Sequence, residues 1–241
     1  MKAEIRYLYH SGFTVKTDRH FLIFDYYRDD PIGGELAEGV VNPEEIRDLD
    51  TVVFASHSHP DHFSRKIFSL RDSVEKIRYV LSNQIHTKED AFRIHAGETL
   101  DLGDLTVRAL KSTDAGAAFL VKADGLCIYH AGDLNWWHWE GEPEKDNEKM
   151  GRDYRTQMDT LRGEEIDIAF VPVDPRLEES CLLGLDYFME AAGARLVVPM
   201  HSFGRPDFYE ALKTDPRTLS YRDRLWLYQN RGDQTAFQKE K

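Results

Sequence analysis

Three imidazoles and one carboxylate stand within six residues at His57-Ser58-His59-Pro60-Asp61-His62. The run begins just past Thr51–Ala55, a short apolar stretch rich in β-branched residues that reads as a buried strand. Side chains two apart in extended chain point the same way, so His57 and His59 can face one ion. Asp61 and His62 follow Pro60, where the chain turns toward a helix, and can face a second position nearby. Imidazole and carboxylate donors suit zinc, nickel, manganese or iron, as one or two divalent ions. The plainer alternative is a histidine-rich surface turn, and so many donors directly after a buried strand argue against it.

Two further strand ends repeat the placement. Leu126–His130 runs into Ala131-Gly132-Asp133, and Leu196–Pro199 runs into Met200-His201. Open α/β sheets collect their ligands at such carboxyl ends. Alone, either residue would read as a cap or a surface group; beside the histidine-rich run, the metal reading is the better one. His10 lies just past the first strand, in YHSGF, and Asp25 ends the third, in LIFDYY.

These pieces, with SHSHPDHF, HAGD and PMH, resemble the metallo-β-lactamase superfamily, particularly its lactonase-like branch of small cytoplasmic hydrolases, the ascorbate-6-phosphate lactonase type. The resemblance implies a four-layer αβ/βα sandwich with the site at one edge of two sheets. It implies that His57 and His59 hold one metal, that Asp61, His62 and His201 hold a second, and that Asp133 bridges them. The family's third histidine for the first metal is missing. Its region reads Ala109-Leu110-Lys111-Ser112-Thr113-Asp114, with Lys111 near the expected place. A lysine ammonium repels a cation. His10 is the preferred substitute and Asp114 the second. A single ion at Asp61, His62, Asp133 and His201 is the third possibility.

The expected reaction is metal-assisted hydrolysis of a small ester, lactone or phosphoester, with Asp61 as the catalytic group that orients the nucleophile and accepts its proton. Trp136, Trp137 and Trp139 follow Asp133 closely and form either an apolar wall over the site or packing for the next helix. On the first reading Trp136, Trp137 and His138 touch the substrate, and Lys111, Arg28 or Arg205 pairs with an anionic group. Asp25 reads as a supporting residue and His130 as a core residue. His20, His86 and His95 have no visible partner and read as surface residues.

The elements that position these groups come in two similar series of short strands followed by β-α alternation. Strands are expected at Ile5–Tyr9, Phe13–Lys16, Phe21–Asp25, Thr51–Ala55, Arg78–Leu81, Asp104–Leu110, Ala117–Val121, Leu126–His130, Ile166–Val173 and Arg195–Pro199. Helices are expected over Phe63–Asp72, around Met150, Tyr154, Met158 and Leu161, and over Leu185–Ala192, with a last helical region from Pro206. The tail after Gln234 reads as loose. No linker divides the halves, so residues 1–241 read as one α/β domain.

Bulk composition narrows the function. The 241 residues are 41% hydrophobic and carry a net charge of −12 with histidine neutral. That charge disfavours general nucleic-acid binding. Cys127 and Cys181 are far apart, which argues against a disulfide framework or a cysteine zinc cluster. Absence of a long apolar run predicts no membrane span and a cytoplasmic protein. The expected partner is a small-molecule substrate, with a homo-oligomer possible through the tryptophan segment. Two rival readings stay open: a metal-binding sensor with a degenerate site, supported by Lys111, and an iron-dependent oxidoreductase on the same fold.

Overall fold

The first strand alternates exposed and buried residues, whereas the third and fourth are buried and largely apolar throughout, as strands covered on both faces must be. In the computed structural model, which describes residues 1–240, they form a seven-stranded sheet. Its members are β1 (Lys2–Tyr9), β2 (Gly12–Lys16), β3 (His20–Phe24), β4 (Asp50–Ala55), β5 (Lys76–Ser82), β6 (Phe92–Ile94) and, at the far edge, β13 (Gln234–Gln238). The order is β13-β1-β2-β3-β4-β5-β6, antiparallel through β3 and parallel from there.

The second sheet repeats the plan. Strands β7 (Thr99–Asp101), β8 (Leu105–Lys111), β9 (Ala117–Ala123) and β10 (Leu126–His130) are antiparallel. Strands β11 (Ile168–Pro172) and β12 (Leu196–Met200) continue parallel to β10.

Residue parity on the strands sets the layers. Leu22, Phe24, Val52, Phe54 and Val80 face the second sheet, where Phe54 meets Phe119 at 5.6 Å and Phe24 meets Phe170 at 6.1 Å. Phe21, Ile23, Val53, Ala55, Tyr79 and Leu81 face the other way, onto α1 (Pro43–Ile46) through Ile46 and onto the 3₁₀ segment Arg65–Asp72 through Ile67, Phe68 and Leu70. Outside the second sheet lie α2 (Glu144–Asp159) and α3 (Leu183–Ala191), where Phe188 stacks on Tyr129 at 5.3 Å. The result is the expected αβ/βα sandwich.

Three local expectations need correction. Phe63–Asp72 is a 3₁₀ segment over Arg65–Asp72, started by the Ser64 side chain on Lys66 N, rather than an α-helix. The tail is not loose: Gln234–Gln238 pairs with β1 in five registers, from Arg6–Gln234 to Lys2–Gln238. Its burial alternates half-buried and exposed, so an edge strand with little apolar content carries little sequence signal. Strands β6 and β7, three residues each, were also not foreseen. No helix among the described residues is long and apolar enough to cross a membrane.

Candidate metal centre

All the candidate donors leave carboxyl ends of strands at one edge of the two sheets. His10 follows β1, Asp25 follows β3, and His57 follows β4 after Ser56; Asp133 follows β10, Asp174 follows β11, and His201 follows β12. Four residues at this edge have left-handed backbone without being glycine: His10 (φ 57°), Asp25 (φ 43°), His201 (φ 75°) and Phe203 (φ 50°). Such strain persists where surrounding structure holds it, and it clusters at working sites. Two glycines let the sheets close. A Cβ on Gly116 (φ +68°) would lie 1.9 Å from Ser56 O, and one on Gly132 would lie 2.6 Å from Ser56 Cβ.

The donors fall into two groups joined by Asp133. One holds His57, His59, Asp114 and Asp133; the other holds His10, Asp61, His62 and His201, with ligand atoms within 4.8 Å of one another in each. Asp133 Oδ2 is 3.3 Å from His57 Nε2, while its Oδ1 is 3.1 Å from His62 Nε2 and 3.2 Å from His201 Nε2. His59 Nδ1 is 3.0 Å from His57 Nε2 and 3.7 Å from Asp114 Oδ2.

Each of three imidazoles is oriented from behind. His62 Nδ1 meets Asp25 Oδ2 at 2.7 Å, and His201 Nδ1 meets Asp174 Oδ2 at 2.9 Å. His57 Nδ1 meets Ser56 Oγ at 2.9 Å, which itself donates to Asp25 Oδ2 at 2.6 Å. Carboxylates only accept, so these contacts put the neutral-ring proton on Nδ1 and leave the Nε2 lone pair facing the cluster. His62 Nε2, His201 Nε2 and Asp133 Oδ1 are buried, and none has a hydrogen-bond partner despite their closeness. A cation among them would satisfy all three at once.

Electrostatics follow the same geometry. Burial alone would raise Asp133, but His62, His201 and His57 hold it well below the usual carboxylate range. Burial would lower His62, yet Asp133 and Asp25 on either side push it up to about 10, so a cation would bind there by displacing the Nε2 proton. Burial would raise Asp25 and Asp174 too, but His62 keeps the former below its ordinary value, and His201 with Arg176 does the same for the latter. His10 goes the other way: burial and the neighbouring His201 and His62 hold its pKa down.

Residues 4–144, more than half of the chain, match the Beta-lactamase superfamily domain. The chain belongs to the metallo-β-lactamase superfamily. It is similar to a metal-dependent hydrolase of Pyrococcus abyssi, 27% identical over 219 residues that cover 83% of this chain and 84% of that protein. A Thermococcus kodakarensis metal-dependent hydrolase is 28% identical over 145 residues, covering 54% of this chain and 61% of the relative's length. Among solved structures, a metallo hydrolase from the archaeon Ignicoccus hospitalis superposes with a TM-score of 0.69 at 16% identity, over 100% of both chains.

On this fold the sequence-predicted donors His57, His59, Asp61, His62, Asp133 and His201 all come together. His10 does so too, but it does not join His57 and His59. It lies with the other group, its ring 4.1 Å from that of His201 and its Nε2 3.6 Å from Asp61 Oδ2. Asp114 stands beside His59 instead. His10 Nδ1 accepts from Phe203 N at 3.2 Å, so its neutral ring carries the proton on Nε2, as a donor rather than a lone pair.

The expected substrate contacts hold only in part. The cavity over the donors, about 270 Å³, is walled by Trp137, Trp139, Met150 and Phe203. Trp137 Nε1 donates to Asp133 O at 2.9 Å, and its ring stacks with Trp139 at 6.0 Å. Trp136 does not line it; it lies against Gly151 of α2, with Tyr154, Tyr187 and Arg155 around its ring. His138 is half-buried outside the cavity, and Lys111 is exposed at the end of β8. Lys111 therefore blocks nothing, which removes the feature that favoured a degenerate site. Arg28 is drawn to Asp30 and Tyr9, and Arg205 is exposed off the cavity.

Sequence reasoning missed Asp174 and Arg176. Asp174 sits at the end of the expected strand Ile166–Val173, so the rule that picked out Asp133 and His201 would have found it. His20 is the clearest misplacement: it is buried, with Nδ1 2.9 Å from Asp124 Oδ2 and Nε2 3.0 Å from Asp104 Oδ2, at the opposite end of the sheets. His130 is a core residue as expected, its Nε2 2.9 Å from Ser11 O and its ring stacked on Phe24. His86 and His95 are exposed.

Proposed function

We propose that the chain is a metal-dependent hydrolase that works with two divalent ions, zinc by choice of donors, on a small ester, lactone or phosphoester. The observation that carries this reading is the convergence of His62 Nε2, His201 Nε2 and Asp133 Oδ1, buried and without hydrogen-bond partners, on one point. Three imidazoles with their Nδ1 protons committed elsewhere form a donor set built for a cation. His57, His59, Asp114 and Asp133 would hold one ion; Asp61, His62, His201 and Asp133 would hold the other. The chemistry that bound divalent ions supply is activation of water and polarisation of the electrophilic oxygen.

The chain's own residues do the rest. Asp61, half-buried on the cavity wall, orients the attacking water and takes its proton. His10 Nε2 lies 3.6 Å from Asp61 Oδ2, beyond hydrogen-bond distance, and is itself buried without a partner. Trp137 and Trp139 form a flat wall that excludes bulk water from the reacting group. Asp61→Asn keeps an oxygen donor while losing the base. Turnover of a panel of 4-nitrophenyl esters and lactones should therefore fall by about 10²-fold or more, with metal content retained. Equal loss of metal and turnover would remove Asp61 from the proton-transfer role.

A further inference from the structure

Arg176 sits at the mouth of the cavity and is the single cationic side chain lining it among the described residues. Its position is fixed on one edge only. Nε and Nη2 donate to both oxygens of buried Asp174, at 2.6 to 3.0 Å, and the backbone N of Arg176 donates to the same carboxylate at 2.8 Å. Nη1 makes no hydrogen bond among the described residues. The guanidinium is also held by aromatic faces, 4.4 Å from the Phe203 ring centre and 5.4 Å from that of Trp139. Its side chain is 51% exposed, so the free edge is open to a ligand.

Charge points the same way, and here the inference rests on the two-ion reading above. Asp61, Asp114 and Asp133 line the cavity. Two dications more than cancel these three carboxylates and leave one positive charge; Arg176 and its buried partner Asp174 offset each other, so the cavity keeps that single excess. A planar fork with one free edge, clamped beside an aromatic wall, matches an oxyanion that lies next to an apolar or planar group.

We propose that Arg176 is the specificity-determining residue of an anion subsite, and that the substrate carries a carboxylate or phosphate group a short distance from the bond that is cleaved. The anion takes the free Nη1 edge of Arg176, and the rest of the substrate lies against Trp137 and Trp139. Asp174 serves two ends at once, orienting His201 toward the metal and Arg176 toward the anion. Arg28, Lys111 and Arg205, which local sequence made candidates for this task, do not line the cavity.

The test is binding, not turnover. The full chain is reconstituted with zinc, its metal content measured, and titrated calorimetrically with benzoate, phenylphosphonate and the neutral isostere benzamide. The expected result is that at least one anion binds about tenfold or more tightly than benzamide. In Arg176→Gln that preference should shrink about tenfold, with zinc content and benzamide affinity unchanged, and Arg176→Lys should keep part of it. A larger Arg176 dependence for benzoate assigns a carboxylate; a larger one for phenylphosphonate assigns a phosphate. Benzamide binding as tightly as both anions overturns the proposal, as does a preference that Arg176→Gln leaves intact, because the ions alone would then select the anion. Loss of zinc in Arg176→Gln also overturns it and makes Arg176 a positioning residue for Asp174. If the wild-type chain takes up no zinc, the metal reading fails by itself, before any probe is added.

Discussion

Replacing Asp25 by asparagine changes one atom type at a position with no exposed surface, and its consequences can be followed bond by bond. The Asp25 carboxylate accepts from Ser56 N at 2.7 Å, from Ser56 Oγ at 2.6 Å and from His62 Nδ1 at 2.7 Å. Ser56 Oγ in turn accepts from His57 Nδ1 at 2.9 Å. One carboxylate thus decides which nitrogen carries the proton in two imidazoles. Asparagine keeps the shape but turns one acceptor into a donor. With its oxygen left on Ser56 N, its amide nitrogen faces Ser56 Oγ and His62 Nδ1. Hydrogen bonding is restored only if both Nδ1 atoms become acceptors, which moves both ring protons onto Nε2, toward the ions. The fold loses charge assistance in three bonds, about 1 kcal/mol each, for a total of about 2–3 kcal/mol. Metal affinity suffers more, about 10- to 100-fold for each mis-oriented imidazole. Competition with a chromophoric zinc chelator reads the affinity, and urea unfolding of metal-free protein reads the stability. An Asp25→Asn protein that binds zinc as tightly as the wild type would refute the reasoning.

Other perturbations probe the frame around the site. Gly116→Ala places a Cβ 1.9 Å from Ser56 O at φ +68°, so the β8–β9 turn must move away from the histidine loop. It should cost about 2–6 kcal/mol in thermal or urea unfolding; a change below about 0.5 kcal/mol would show that the loop tolerates the shift. At the opposite end of the sheets, Arg78 and His20 hold Asp104 below the usual carboxylate range, and Thr17, His20 and Arg19 do so for Asp124 against the opposing effect of burial. Both folded-state values lie below the unfolded ones, so their stabilisation is complete above about pH 4 and is lost as pH falls further. Unfolding free energy measured across acid pH should decline less steeply in Asp104→Asn than in the wild type; parallel curves would show that this clamp contributes nothing. Truncation before Gln234 removes the partner of β1 and should lower the melting temperature, whereas an unchanged one would make β13 dispensable.

Much of the site was legible because the donors obey one rule. His57, Asp133 and His201 each follow a buried apolar run, and such runs are what local sequence signals best. The same rule reaches Asp174, at the end of the expected strand Ile166–Val173. Asp114 and His10 needed the fold: only the close approach of Gly116 to Ser56 brings Asp114 beside His59, and only the Phe203 N–H shows which His10 nitrogen carries the proton. His20 lay beyond local reading because its partners are 84 and 104 residues away. Arg176 lacked a signal of its own, since an arginine after Asp-Pro is ordinarily a surface residue. The layers came from the family resemblance, since β3 and β4 are buried and largely apolar on both faces and show no alternation, whereas β13 carries too few apolar residues to announce a strand.

The central claim is a two-ion centre joined by Asp133, and the metal content of chain purified without tag or chelator tests it most directly. Inductively coupled plasma mass spectrometry should find about two divalent ions per chain after zinc reconstitution, falling to one or none in Asp133→Ala. No bound metal in any preparation, or two ions retained in Asp133→Ala, would contradict it.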